Sequence, residues 1–238
     1  MKTNKNIITV NFPIYNEAKS IKKTINEWVS FFEKNKIKYK IILSEDGSID
    51  GTKKVLSELL KKNKNIINNM SLKKRGYTGA VLSGISLATT YYVLCVDSDG
   101  QCNPKDFLNF WKKKHLAERD IIIGNRVKRK DGTFRFISSR LFGLFHKILF
   151  FHKLDDPSCP YVLINKNNFN KIKTKLKFTH EAFWWGFVGA CIKKNIKIHE
   201  ININHRKRLI GDTNVYKLNK LPGIFVRNAI GLIKLKVS

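Results

Sequence analysis

Tyr91-Tyr92-Val93-Leu94-Cys95-Val96-Asp97-Ser98-Asp99-Gly100-Gln101 is the stretch on which the reading of this chain turns. Its first half is an unbroken aromatic and apolar run, the clearest strand in the sequence. Its second half sets carboxylates at i and i+2 and a side-chain amide at i+4 directly behind that strand. If the chain turns there, the oxygens of Asp97, Asp99 and Gln101 can converge on one divalent cation. Such a set suits Mg2+ or Mn2+, with waters and substrate phosphates completing the shell. Asp and Gly also favour turns on their own account, so an acidic bend with no ligand is the competing reading.

Upstream, Ile7-Ile8-Thr9-Val10-Asn11 reads as a buried strand that ends at Pro13. From Ala18 the period changes, and Ile21, Ile25, Trp28, Val29 and Phe32 fall on one helix face. A second strand at Lys40–Ser44, a helix from about Thr52 to Lys62, a weaker strand at Ile66-Ile67 and a helix from about Thr78 to Ala88 complete the approach. Downstream, Pro104 suits the first turn of a helix, and Asp120–Gly124 is another strand. Strands alternating with helices at this spacing predict an α/β fold: right-handed βαβ units around a Rossmann-like, mainly parallel sheet flanked by helices. In such sheets ligands gather at the carboxyl ends of the strands, where the acidic residues of this chain cluster.

After Gly124 the pattern loosens. A basic loop (Arg126 to Arg135) precedes a very apolar helix-like stretch from Leu141 to Leu154. A short strand at Tyr161–Ile164, a helix around Ala182 to Lys194 and a mixed apolar and basic tail from Tyr216 follow. With no repeats and no linker, residues 1–238 read as one domain.

The bulk properties narrow the class. A hydrophobic fraction of 42% fits a globular protein. No apolar run reaches transmembrane length, and no signal region follows Met1, which leads us to expect a cytoplasmic protein. The four cysteines lack metal or disulfide spacing and read as reduced thiols. The formal charge of +28 favours polyanions such as phosphorylated substrates, anionic lipid or nucleic acid. The joint richness in Lys, Asn and Ile is also what an A/T-rich coding sequence produces, so charge alone names no partner. No nucleic-acid-binding signature is evident, and the aromatics sit in apolar runs; nucleic acid is not an expected partner.

Three further motifs sit at element ends. Ser44-Glu45-Asp46-Gly47-Ser48-Ile49-Asp50-Gly51-Thr52 closes the second strand; Asp50 or Thr52 can cap the next helix, while Glu45 and Asp46 can accept N–H groups of a base or hydroxyls of a ribose. Pro13-Ile14-Tyr15-Asn16-Glu17 follows the first strand, with Tyr15 able to stack on a base and Glu17 able to serve a helix start or a ligand. Lys74-Arg75-Gly76-Tyr77-Thr78-Gly79 offers cations and N–H groups at a helix start, as an anion site should.

Together and in this order, these motifs resemble the family 2 glycosyltransferases of GT-A fold, over about residues 7–213. Glu45 departs from the family, which commonly has Asp there. Gln101 after the Asp-x-Asp, with Pro104 following, narrows the likeness to dolichyl- and polyprenyl-phosphate sugar synthases. Gly124-Asn125-Arg126, Arg135-Phe136-Ile137-Ser138-Ser139-Arg140 and Arg208-Leu209-Ile210-Gly211-Asp212-Thr213 are similar to their downstream motifs.

The resemblance implies a nucleotide-sugar-binding half (residues 1–125) and an acceptor half (126–238) with C-terminal acceptor-side helices. It implies an inverting transfer from a GDP- or UDP-sugar, with Asp97, Asp99 and Gln101 around the metal. Pro13, Tyr15, Glu17, Glu45, Asp46, Lys74, Arg75, Asp97 and Ser98 would bind the donor. Asp99, Gln101, Arg126, Arg135 and Arg208 would act at the phosphates. Asp156 either orients the acceptor or shapes its turn, and Glu181 complements a helix N-terminus; where a proton must be removed, one of the two would be the base. The expected acceptor is a lipid phosphate; a sugar hydroxyl in surface polysaccharide or glycolipid synthesis is the alternative. The stretch from Leu141 to His152, ringed by Arg140, Lys147 and Lys153, reads either as a helix lying in a membrane surface or as a core helix.

Overall fold

The computed structural model describes residues 4–127, 133–179, 182–208 and 221–238; for 133–137 and 221–222 it describes the backbone alone. The described elements, in chain order, are β1 (Ile7–Ile14), α1 (Ile21–Lys34), β2 (Lys38–Glu45), α2 (Thr52–Lys62), β3 (Ile66–Asn68), α3 (Gly76–Leu87) and β4 (Tyr92–Cys95). Then come α4 (Phe107–Lys112), β5 (Ile121–Arg126), α5 (Thr133–Phe150), β6 (Val162–Asn165), α6 (Lys166–Ile172), α7 (Phe183–Lys193), β7 (Ile198–Ile203) and α8 (Leu221–Val237).

The seven strands form one sheet in the order β3-β2-β1-β4-β6-β5-β7. Every pairing is parallel except those of β6, which runs antiparallel to both β4 and β5. The mainly parallel α/β sheet expected from the alternation of elements is therefore present. Its central strands are buried on both faces, as their continuous apolar runs require. On α1 the predicted stripe holds: Ile21, Ile25, Trp28 and Phe32 are sealed, and Val29 is half-buried against them. Trp28 packs edge-on to Phe12 at 5.9 Å, locking helix to sheet.

Three readings of the chain need correction. Pro13 does not end β1, which continues to Ile14 beside Glu45. The Asn11 carbonyl accepts from Val96 N–H, so Asn11 faces β4, and two residues on Pro13 faces the same way. Pairing with β4 has already finished at Asn11, so the missing N–H costs no ladder bond. The apolar stretch after Leu141 starts earlier, with α5 running from Thr133 to Phe150. Two elements were not foreseen: α6, and β7, whose Ile198, Ile201 and Ile203 are spaced among His, Glu and Asn and carry little strand signal.

Helix α5 is neither wholly buried nor wholly exposed. Phe142, His146 and Phe150 are buried, whereas Leu141, Leu144 and Ile148 are exposed, as is Phe151 just beyond. The expected tail is helix α8, which packs on α5 through Phe142 and Phe225, 5.1 Å apart. It too shows solvent an apolar side: Val226, Ile230 and Ile233. Among the described residues no helix is long and apolar enough to cross a membrane.

Candidate active site

Parallel strands end together, so β1, β2 and β4 deliver their following loops to one edge of the sheet. Because β6 is antiparallel, with Val162 beside Cys95, the turn that precedes it arrives at this same edge. The predicted donor residues Pro13, Tyr15, Glu17, Glu45, Asp46, Asp97 and Ser98 close or follow those strands, and Lys74 and Arg75 precede α3.

The acidic turn is built around Gly100, whose φ of +80° bends the chain in a region that favours glycine. Asp99 Oδ1 accepts the Gln101 backbone N–H at 3.0 Å. Asp97 Oδ1 accepts the Tyr77 hydroxyl at 2.7 Å, and that hydroxyl accepts Trp184 Nε1–H at 2.7 Å. Gln101 is tied to a neighbouring segment: its Nε2 donates to the Arg206 carbonyl, and Arg206 N–H returns to the Gln101 carbonyl, both at 3.1 Å. Arg206 itself forks onto Glu27 at 2.6 and 3.0 Å.

Beside this turn lies a buried carboxylate, Glu17. It accepts from the Ser20 hydroxyl and from the Arg208 guanidinium, which the fold brings from the far end of the sequence. Burial pushes the Glu17 carboxyl above its ordinary range; Ser20 and Arg208 pull it down, and Asp99 and Asp50 repel it further upward.

Glu45 is fully buried at the end of β2, with one oxygen held by Ser48 N–H. Its other oxygen, Oε2, makes no hydrogen bond and has Lys53 Nζ at 4.0 Å. Asp46 Oδ1 accepts Arg75 N–H at 2.5 Å, and Arg75 Nη2 caps the Glu45 carbonyl at 3.1 Å. Gly47, at φ +72°, lets the Lys73-Lys74 backbone close on this loop; a Cβ there would stand 2.8 Å from Lys74 N. Lys74 Nζ sits 3.7 Å from the centre of the Tyr15 ring and covers one of its faces. Ser98 is buried within the turn.

On the other flank, Arg126 and Asp156 form a bidentate pair at 2.6 and 2.8 Å, with Ser158 completing it. The expected arginines are thus held by separate carboxylates, Arg126 by Asp156 and Arg208 by Glu17. Glu181, residues 209–213 and the side chain of Arg135 lie outside the described residues.

Sequence reading missed Tyr77, Trp184, Glu27 and Arg206. Tyr77 lies inside a motif read only for its cations and N–H groups. The partners of the other three are 100 or more residues away in the chain, beyond the reach of any local pattern.

A divalent cation fits the chemistry of this edge. Its donors are hard oxygens, and a cation would relieve the repulsion that Asp99 and Asp50 exert on Glu17. Among the described residues no group of three His, Cys, Asp or Glu side chains could hold an ion unaided. An ion at Asp97 and Asp99 would therefore need substrate oxygens to complete its shell. Soft thiolate chemistry is absent, for burial pushes Cys95 and Cys159 up to about 12 and Cys102 and Cys191 well above the usual thiol value.

This sheet order, with one antiparallel strand and an acidic turn after β4, defines a GT-A fold. A profile described as Glycosyl transferase family 2 matches residues 9–193, and the chain belongs to that family. A dolichyl-phosphate beta-glucosyltransferase of Dictyostelium discoideum is 29% identical over 214 residues, 83% of this chain; the match spans 65% of that relative's length. Among solved structures, glucosyl-3-phosphoglycerate synthase from Mycobacterium tuberculosis in complex with Mn2+, UDP-glucose and phosphoglyceric acid aligns over 98% of this chain and 80% of its own. The TM-score is 0.67 at 12% identity. Mannosyl-3-phosphoglycerate synthase from Rubrobacter xylanophilus aligns over 96% and 73%, with TM-score 0.67 and 13% identity. At such identities the structural likeness speaks for the fold.

Proposed function

We propose that this glycosyltransferase moves a sugar, with inversion, from a UDP- or GDP-sugar to a polyprenyl or dolichyl phosphate at a membrane surface. The observation that carries the acceptor half of this reading is that both packed helices, α5 and α8, expose apolar residues. Leu141, Leu144, Ile148, Val226, Ile230 and Ile233 face solvent there, with Arg140, Lys147, Arg227, Lys234 and Lys236 interspersed. Apolar residues among cations suit an anionic lipid interface. The acceptor named for the Dictyostelium relative agrees.

The donor half rests on the acidic edge. Asp46 would accept an N–H of the base, with the buried Glu45 before it fastened to the loop through Ser48 N–H. Tyr15, Lys74 and Arg75 line the approach of the nucleotide. Asp97, Asp99 and the Gln101 amide oxygen would hold Mg2+ or Mn2+, which supplies positive charge for the departing diphosphate. Structures of this fold with Mn2+ or Mg2+ and UDP are in keeping with that.

The acceptor phosphate is anionic at neutral pH, so its oxygen can attack the anomeric carbon as the bond to the diphosphate breaks, with no proton to remove. Arg126, Arg135 and Arg208 would balance the charge on both phosphates, the first and last once loosened from their carboxylates. A hydroxyl acceptor would instead need a base, for which Asp156 and Glu181 are the candidates.

The test is turnover of UDP- and GDP-sugars with polyprenyl phosphate in detergent, with and without Mn2+. Transfer to the lipid phosphate that is lost on chelation supports the reading. Transfer only to sugar hydroxyls would overturn it.

A further inference from the structure

The acidic turn is tethered from behind by two hydrogen bonds in series. Trp184 Nε1 lies 2.7 Å from Tyr77 Oη, which lies 2.7 Å from Asp97 Oδ1. Chemistry fixes the direction. An indole N–H can only donate and an ionised carboxylate can only accept, so the phenol proton must point at Asp97. Phe183 wedges against both rings, at 6.2 Å from Tyr77 and 4.9 Å from Trp184. Tyr77 stands in the first turn of α3 and Trp184 in the first turn of α7. The chain of bonds therefore ties the donor-side acidic turn to a helix that packs on α8, one of the two carrying the exposed apolar side.

We propose that Tyr77 and Trp184 are positioning residues that hold the Asp97 carboxylate in one orientation and so set the affinity for a divalent cation with a nucleoside diphosphate. This rests on the functional reading above. An untethered aspartate samples a broad range of its terminal torsion; one pinned oxygen removes that freedom before the ion arrives. Partners behind a metal-holding side chain typically contribute about 10–100-fold in affinity.

Two measurements on the full chain test the proposal. The first is the 15N indole spectrum, with Trp184 assigned by its loss in Trp184→Phe. Tyr77→Phe, which removes one oxygen and keeps the ring, is expected to move the Trp184 resonance, and Asp97→Asn to move it less. An unmoved Trp184 resonance in Tyr77→Phe would overturn the relay whether or not the chain binds any metal.

The second is calorimetric titration of UDP and of GDP, each with and without Mn2+. Tyr77→Phe is expected to lose about 10–100-fold of the Mn2+-dependent affinity while Mn2+-independent binding is unchanged. Trp184→Phe should lose less, and the double variant no more than Tyr77→Phe, since both act through one hydroxyl. Equal losses with and without Mn2+ would indicate general damage and sink the proposal, as would additive losses. A wild-type chain that binds neither nucleotide with Mn2+ would instead overturn the functional reading, leaving the indole result to judge the relay.

Discussion

Arg126 grips both carboxylate oxygens of Asp156, at 2.6 and 2.8 Å, with both side chains under a tenth exposed. The Asp156 backbone is fastened in turn, its N–H donating to Glu200 Oε1 at 2.9 Å. A pair so buried is costly to break by halves, because the surviving charge has nowhere to go. Asp156→Ala is expected to destabilise the fold by about 3–5 kcal/mol, read as a lowered urea midpoint. An unchanged midpoint would mean that solvent reaches the arginine.

At the acidic turn the expectation is chemical rather than structural. Asp99→Ala should lower turnover on the order of 10²–10³-fold and abolish thermal stabilisation by Mn2+ with nucleotide. Its melting temperature without ligand should stay near that of the wild type, because the easing of Asp99's repulsion of Glu17 offsets the lost hydrogen bond to Gln101 N–H. Intact turnover in this variant would remove Asp99 from the mechanism.

His146 and His152 make stability depend on pH. Leu154 N–H occupies His152 Nδ1, so the proton of His152 sits on Nε2 and bonds His146 Nδ1 at 2.7 Å; His146 Nε2–H then donates to the Trp185 carbonyl at 2.9 Å. Both rings are neutral in this arrangement. Burial, and for His146 the neighbouring ring, pushes them down to about 3 and about 4. The unfolded chain takes up these protons near pH 6.5 and the folded one resists. Stability from this pair is therefore complete above about pH 6.5 and declines as pH falls toward 4, by up to about 1.4 kcal/mol per unit for each ring. Denaturant melts from pH 7 to 4.5 should show this slope, and His146→Gln should flatten it. A slope identical in wild type and variant would discount the pair.

The apolar side of α5 and α8 can be tested without disturbing the fold. Leu144 and Ile230 are 58% and 47% exposed. The double change Leu144→Glu, Ile230→Glu is expected to leave the melting temperature within a few degrees, while cutting sedimentation with anionic phospholipid vesicles about tenfold or more. Equal sedimentation would take the membrane away from this face.

The parallel half of the fold was legible because its central strands are largely apolar and α1 and α2 carry clear apolar stripes. The run Ile41–Ser44 could be little else, and α2 was located to the residue. Legibility faded where burial is partial: β7 is half-buried from Ile198 to Ile201, and its three isoleucines sit among polar neighbours. The site divides in the same way. Carboxylates in local motifs, Asp97, Asp99, Glu45 and Asp46, announce themselves by position after a strand. Long-range tethers do not. Gln101 reads as a ligand, yet half of its amide is fastened to Arg206, a partner supplied by the chain's return at 205–206.

The four buried cysteines have a practical consequence. Each thiol is sealed from solvent and held in its unreactive protonated form. The native protein is thus close to silent toward maleimides. A cysteine introduced at exposed Leu144 or Ile230 should take a fluorophore or spin label selectively with all four native residues left in place. The depth of each helix in a bilayer could then be read from one labelled site at a time.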